Sequence, residues 1–226
     1  MSGSMVTFAS NGSTADGYLA LPPAGTGPGL IVIQEWWGLV AHIKSLADRF
    51  AAAGFVALAP DMYHGVVTTA PDQAGKLLMA LNISTAGKDI RGAAGYLLAH
   101  AAVSPKKVAA IGFCMGGQLA LFAAQESPDV ISAVVDFYGI HPNVTIDPKR
   151  VKVPVSGHFA LQDNGTPIAS VRALAREVTQ SGGSFELHEY DTVHAFFNDA
   201  RPTVYDAKNA ALAWDRTLAF LRTHLS

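Results

Sequence analysis

Residues 108–124, VAAIGFCMGGQLALFAA, decide how this chain is read. The apolar start is short and bounded, as a buried strand should be. The Ala/Leu-rich end is helical in character. Between them stands one nucleophile, Cys114, with Gly112 and Gly116 two residues to either side. A sharp strand-to-helix turn with this spacing is a nucleophile elbow, with cysteine in the usual serine position. The glycines have a steric reason, since side chains at 112 or 116 would collide with neighbouring backbone. The turn also sets the Cys114 sulfur at a helix N-terminus, where the dipole favours a thiolate. The motif alone equally fits an inert buried cysteine. It does not fit a dinucleotide loop, because Cys114 holds the middle position of G-x-G-x-x-G, and the P-loop lysine is missing.

Outward from the elbow, strands and helices alternate. Strands are predicted over 6–10 and 17–21, joined through the Asn11-Gly12 turn as a hairpin. Further strands are predicted over 30–34, 55–59, 131–137, 151–157 and 185–190. Helices are predicted over 43–53, 73–81, 88–100, 166–181 and 203–221. This order predicts an α/β fold, a mostly parallel sheet with helices on both faces and an N-terminal β-hairpin, and the elbow within it makes the α/β-hydrolase type the expected one. In such sheets chemistry gathers at the carboxyl ends of strands. Glu35, Asp61, Cys114, Tyr138, Asp163 and His194 all fall just after predicted strands.

The 226 residues suit one domain, 5–226, and residues 1–4 read as a cloning remnant outside it. Half the residues are hydrophobic and the net charge is −2, which excludes disorder and gives no electrostatic case for nucleic acid or an anionic membrane. A single cysteine permits no internal disulfide, and neither a membrane-spanning run nor a signal peptide is evident. The expected protein is cytoplasmic, a monomer or small homo-oligomer acting on a small molecule.

A thiol nucleophile needs a base, and the base needs an orienting acid. Chain order in α/β-hydrolases is nucleophile, acid, histidine, and Cys114, Asp163 and His194 follow it. Asp163 also fits a turn or N-cap ahead of the helix at 166. Two fixed N–H donors should hold the oxyanion: Met115, which follows the nucleophile, and Trp36, in the loop after the 30–34 strand. His188, Glu189 and His194 raise a metal site, but alternate strand positions face opposite ways and no H-E-x-x-H occurs.

Five segments in order carry a resemblance: Gln34-Glu35-x-x-Gly38, Pro60-Asp-x-Tyr63-x-Gly65, Gly112-Phe-Cys-Met-Gly-Gly117, Gly157-His-Phe-Ala with Asp163, and His194-Ala-Phe196. They resemble the dienelactone hydrolases over nearly the whole chain. The resemblance implies a cofactor-free enzyme that opens enol-lactones such as 4-carboxymethylenebut-2-en-4-olide to maleylacetate. It implies Cys114, Asp163 and His194 as the triad, and Glu35 as a glutamate that engages the resting thiol. Tyr63, His64, Tyr138 and Phe159 are expected to contact substrate, together with Asn198 and Arg201. Where the family has a carboxylate-binding arginine four residues after the histidine, this chain has Asn198. Residues 66–84 offer only Lys76 for the family's second arginine. The expected substrate is therefore an ester or lactone handled at least as well when neutral as when acidic. The alternative in another class is a non-catalytic binding or regulatory protein of the same fold.

Overall fold

The computed structural model describes residues 2–226. Its strands are β1 (Ser4–Ser10), β2 (Ser13–Ala20), β3 (Gly27–Ile33), β4 (Val56–Pro60), β5 (Val103–Phe113), β6 (Ala133–Phe137), β7 (Val155–Ala160) and β8 (Phe185–Tyr190). Its helices are α1 (Ala41–Ala52), α2 (Pro71–Ala80), α3 (Ile83–Ala99), α4 (Met115–Glu126), α5 (Ile168–Gln180) and α6 (Ala207–Leu225). The strands form one sheet in the order β1-β2-β4-β3-β5-β6-β7-β8. β1 and β2 pair antiparallel, as does β2 with β4, and every other pairing is parallel. This is the α/β-hydrolase architecture that the alternation of elements and the elbow together predict.

The two-residue period of β5 divides the core. Val108 and Ala110 face one side, among Ile90 and Leu97 of α3 and Leu119 of α4. Ala109, Ile111 and Phe113 face the other, among Ile43, Leu46 and Phe50 of α1 and Phe220 and Leu221 of α6. A strand covered on both faces has no polar side to show, which is why its sequence is a continuous apolar run. Each large aliphatic or aromatic side chain buried this way contributes about 1.5–3 kcal/mol.

Most boundaries shift by a few residues, and three of the shifts bear on the reading. Residues 3 and 4 are not outside the fold: the Gly3 N–H donates to Asp48 Oδ1 at 2.9 Å, and Ser4 pairs with Leu19. β7 begins at Val155, not at 151, because Pro154 has no N–H to give the ladder. Pairing with β6 starts at Val134–Val155, so His158 and Phe159 lie within the strand. β5 reaches back to Val103, whose partner is Gly27. No helix among the described residues is long and apolar enough to cross a membrane.

Candidate active site

The elbow is built by close backbone packing. Cys114 has φ 55° and ψ −118°, a conformation that an L-residue holds only when its surroundings impose it. They do: the Cys114 N–H donates to Phe137 O at 2.9 Å, and the first turn of α4 closes through Gly117 N–H to Cys114 O at 3.0 Å. A Cβ on Gly112 would stand 1.9 Å from Gly116 O, and one on Gly116 would stand 2.4 Å from Ile33 O. Met115 opens α4, so its N–H has no acceptor within the helix. The Trp36 N–H, in the loop after β3, likewise has no acceptor among the described residues.

Beyond β7, Asp163 is buried and its carboxylate is fully used. Oδ1 accepts from the N–H groups of Gly165 at 2.8 Å and Thr166 at 3.1 Å. Oδ2 takes His194 Nδ1 at 2.5 Å. Burial opposes its charge, but His194 and the two N–H groups outweigh burial and hold the carboxyl below its usual range. The N-cap reading is thus part of the answer, since one oxygen organises the turn while the other orients the histidine. Burial lowers the proton affinity of His194, yet the bond to Asp163 and the Cys114 side chain push its pKa up to about 10. With Nδ1 committed to Asp163, the other ring nitrogen is left for the sulfur.

Glu35 sits at the end of β3, only 3% exposed. Its hydrogen bond runs to Asn198 Nδ2 at 2.7 Å, not to the Cys114 sulfur, and Oε1 has no partner. Burial raises its pKa, and Asn198 with the charges of His194 and Arg201 offsets this only in part. A cleft of about 510 Å³ collects Glu35, Trp36, Cys114, Asp163, His194 and Arg201. Its walls include Leu78, Ile140, Pro142 and Val193, residues that no sequence pattern marked.

Not every expected contact residue reaches this cleft. Tyr63 is buried below it, with its hydroxyl donating to Met115 Sδ at 3.1 Å. His64 faces a separate cavity of about 260 Å³, where Nε2 lies 3.4 Å from Asp89. Phe159 is a buried residue of β7, because the strand runs farther than predicted and carries it into the sheet. Tyr138 is fully buried with its ring 5.0 Å from that of His194, so it backs the histidine and does not line the cleft. Its hydroxyl has no partner, and burial with the charges of Glu35 and Cys114 raises its pKa well above the usual value. Arg201 does line the cleft, stacked over Trp37 at 5.5 Å, and makes no ion pair among the described residues. Among those residues no cluster of three or more His, Cys, Asp or Glu is disposed to hold a metal ion.

Residues 15–225 match the model of the dienelactone hydrolase family. The chain belongs to this family. It is 40% identical over 231 residues to "Protein usf" of Aquifex pyrophilus, covering 99% of this chain and all of that one. It is 35% identical to the "Putative carboxymethylenebutenolidase" of Aquifex aeolicus, over 99% of both chains. Among solved structures, a dienelactone hydrolase-like promiscuous phosphotriesterase from metagenomic libraries superposes with a TM-score of 0.85. It is 24% identical and both chains are fully covered, so that likeness speaks to fold alone. This dienelactone hydrolase family member is a hydrolase of carboxylic ester bonds.

Proposed function

We propose that Cys114 is the nucleophile of a cysteine-dependent ester or lactone hydrolase working through an acyl-thioester. The observation that carries this reading is His194, held by Asp163 on Nδ1 and lining the same cleft as the Cys114 thiol. The sulfur attacks the carbonyl carbon, and the resulting oxyanion is received by the Trp36 and Met115 N–H groups. The C–O bond breaks as His194 gives its proton to the leaving oxygen, leaving the acyl group on sulfur. Acylation removes the negative charge that helped hold the His194 proton, so the imidazole then serves as base for water. Water adds, the C–S bond breaks, and the carboxylic acid leaves. In a lactone the leaving oxygen stays tethered and the product is a single open chain. Glu35, buried in the wall of the same cleft with Oε1 free, is left able to accept a hydrogen bond from the thiol or from an entering substrate. The test is an acid quench during turnover followed by mass analysis of the peptide bearing Cys114. An acyl adduct is expected with a slowly deacylating ester, and rapid turnover of that ester by Cys114→Ala refutes the cysteine mechanism.

The pH dependence follows from His194. A pKa of about 10 keeps the imidazolium available as general acid through neutral and mildly alkaline pH. We expect kcat/KM to hold to about pH 9 and to fall as pH passes about 10. Asp163→Asn removes an interaction that raises this value, so its alkaline limb should move to lower pH. A limb that stays in place assigns the ionisation to another group.

Arg201 revises the expected substrate preference. Asn198 is occupied with Glu35, but an unpaired guanidinium stands in the cleft wall. A charge-assisted contact of about 1.5–3 kcal/mol corresponds to roughly a 10- to 150-fold preference. Arg201→Ala should lower kcat/KM for an acidic enol-lactone by about that factor while changing its methyl ester much less. Equal losses on both would assign Arg201 to packing against Trp37 and return the preference to neutral substrates.

A further inference from the structure

We propose that a second cavity, next to the cleft, is a chamber for the acyl part of the substrate. The idea rests on reading the Cys114 site as an ester hydrolase and names the kind of ester it takes. The cavity holds about 470 Å³ and is bounded by the start of α1, the loop before α2 and the segment around Ala200. That volume falls within the range of sites that bind drug-sized molecules. It shares Trp37 and Arg201 with the cleft, so the partition between the two is one stacked pair with the guanidinium 5.5 Å from the ring centroid. Such a contact is weak at a partly exposed site, and a side chain on a flexible stem can yield to an entering chain.

The lining chooses the occupant. Val40, Pro71 and Ala200 present carbon, Thr68, Thr69 and Asn198 add only uncharged polar groups, and no acidic side chain lines the chamber. His42 reaches it, but burial pushes its imidazole down and Asp199 engages Nδ1 at 3.2 Å. Beyond Arg201 the space therefore suits an uncharged hydrocarbon group. Which half of the ester enters follows from where the carbonyl must sit. Its oxygen is held at the Trp36 N–H, the chain neighbour of the partition residue Trp37, while the leaving oxygen must point away towards His194 to be protonated. The group that crosses the Trp37–Arg201 partition is thus the acyl chain, of medium-length alkyl or arylalkyl type.

The experiment compares kcat/KM for p-nitrophenyl octanoate and butyrate in the wild type, Ala200→Trp and Ala41→Trp. Each methylene that moves from water into the chamber raises kcat/KM about fourfold. The wild type should then favour octanoate, with four more methylenes, by about 250-fold, and either tryptophan should cut that ratio at least tenfold. Thermal melts and titration of Cys114 with a thiol reagent establish that the variants are folded. The two alanines stand on different elements, so a folding defect in one variant leaves the other as the test. A wild-type ratio near one, or folded variants that keep the wild-type ratio, overturns the chamber while leaving the hydrolase reading intact. Failure of the wild type to turn over either ester overturns both.

Discussion

Cys114→Ala should lower turnover of any accepted ester by about four to six orders of magnitude, the scale on which nucleophile–base units lose activity. The loss should come with no large change in stability. Cys114 is half-buried, and its backbone at φ 55° is held by Phe137 O and the first turn of α4, not by its side chain. His194→Ala should be similarly severe, and the double variant no worse than either single one. A base without a nucleophile, or a nucleophile without its base, forfeits the same step. Losses that multiply in the double variant would mean that the two residues act separately, and the proposed unit would be lost. Near-normal turnover in Cys114→Ala would remove the mechanism altogether and restore the non-catalytic reading of the elbow.

The second large effect concerns stability. Asp136, in β6, is fully buried, and neither carboxyl oxygen has a well-formed hydrogen bond. It fits because two neighbours are glycines. A Cβ on Gly117 would stand 2.2 Å from Asp136 Oδ1, and one on Gly139 would stand 2.3 Å from it. Burial, eased only in part by the Gly139 backbone, raises its pKa from 3.8 to about 7. Between those values the unfolded chain has lost the proton while the folded protein keeps it. The unfolded state gains, and stability falls as pH rises, by about 1.4 kcal/mol per pH unit and about 4 kcal/mol across the window. Asp136→Asn keeps the shape and removes the titration. Denaturant unfolding from pH 4 to 8 should therefore show this decline in the wild type and its absence in the variant. Above pH 7 the variant should be the more stable protein by up to that amount. Parallel pH profiles would mean that Asp136 finds a compensating donor when it ionises.

Much of the fold was legible because its constraints are local. The elbow needs glycine at 112 and 116 within five residues, for reasons of Cβ sterics that hold wherever such a turn occurs. The apolar run of β5 and the alternation of strand and helix likewise report burial and period within short windows. The order Cys114, Asp163, His194 at strand ends then made their meeting an inference from topology. Legibility ended where an outcome depended on a boundary or on a distant segment. Pro154 delayed β7 by four residues from the predicted start, and that shift took Phe159 out of the expected cleft.

By itself, then, the sequence determined a parallel sheet with an elbow cysteine and an acid and a histidine at later strand ends. Backbone sterics, hydrophobic period and chain order suffice for that. Only the tertiary structure decided that Glu35 is tied to Asn198, a contact spanning 163 residues. It alone brought Arg201 against Trp37 between two cavities, turned Tyr63 beneath Met115 and sealed Asp136 against two glycines. Cavities and buried charges are set by surfaces from segments far apart in the chain. No short window of residues carries the information about which atoms those surfaces leave without partners.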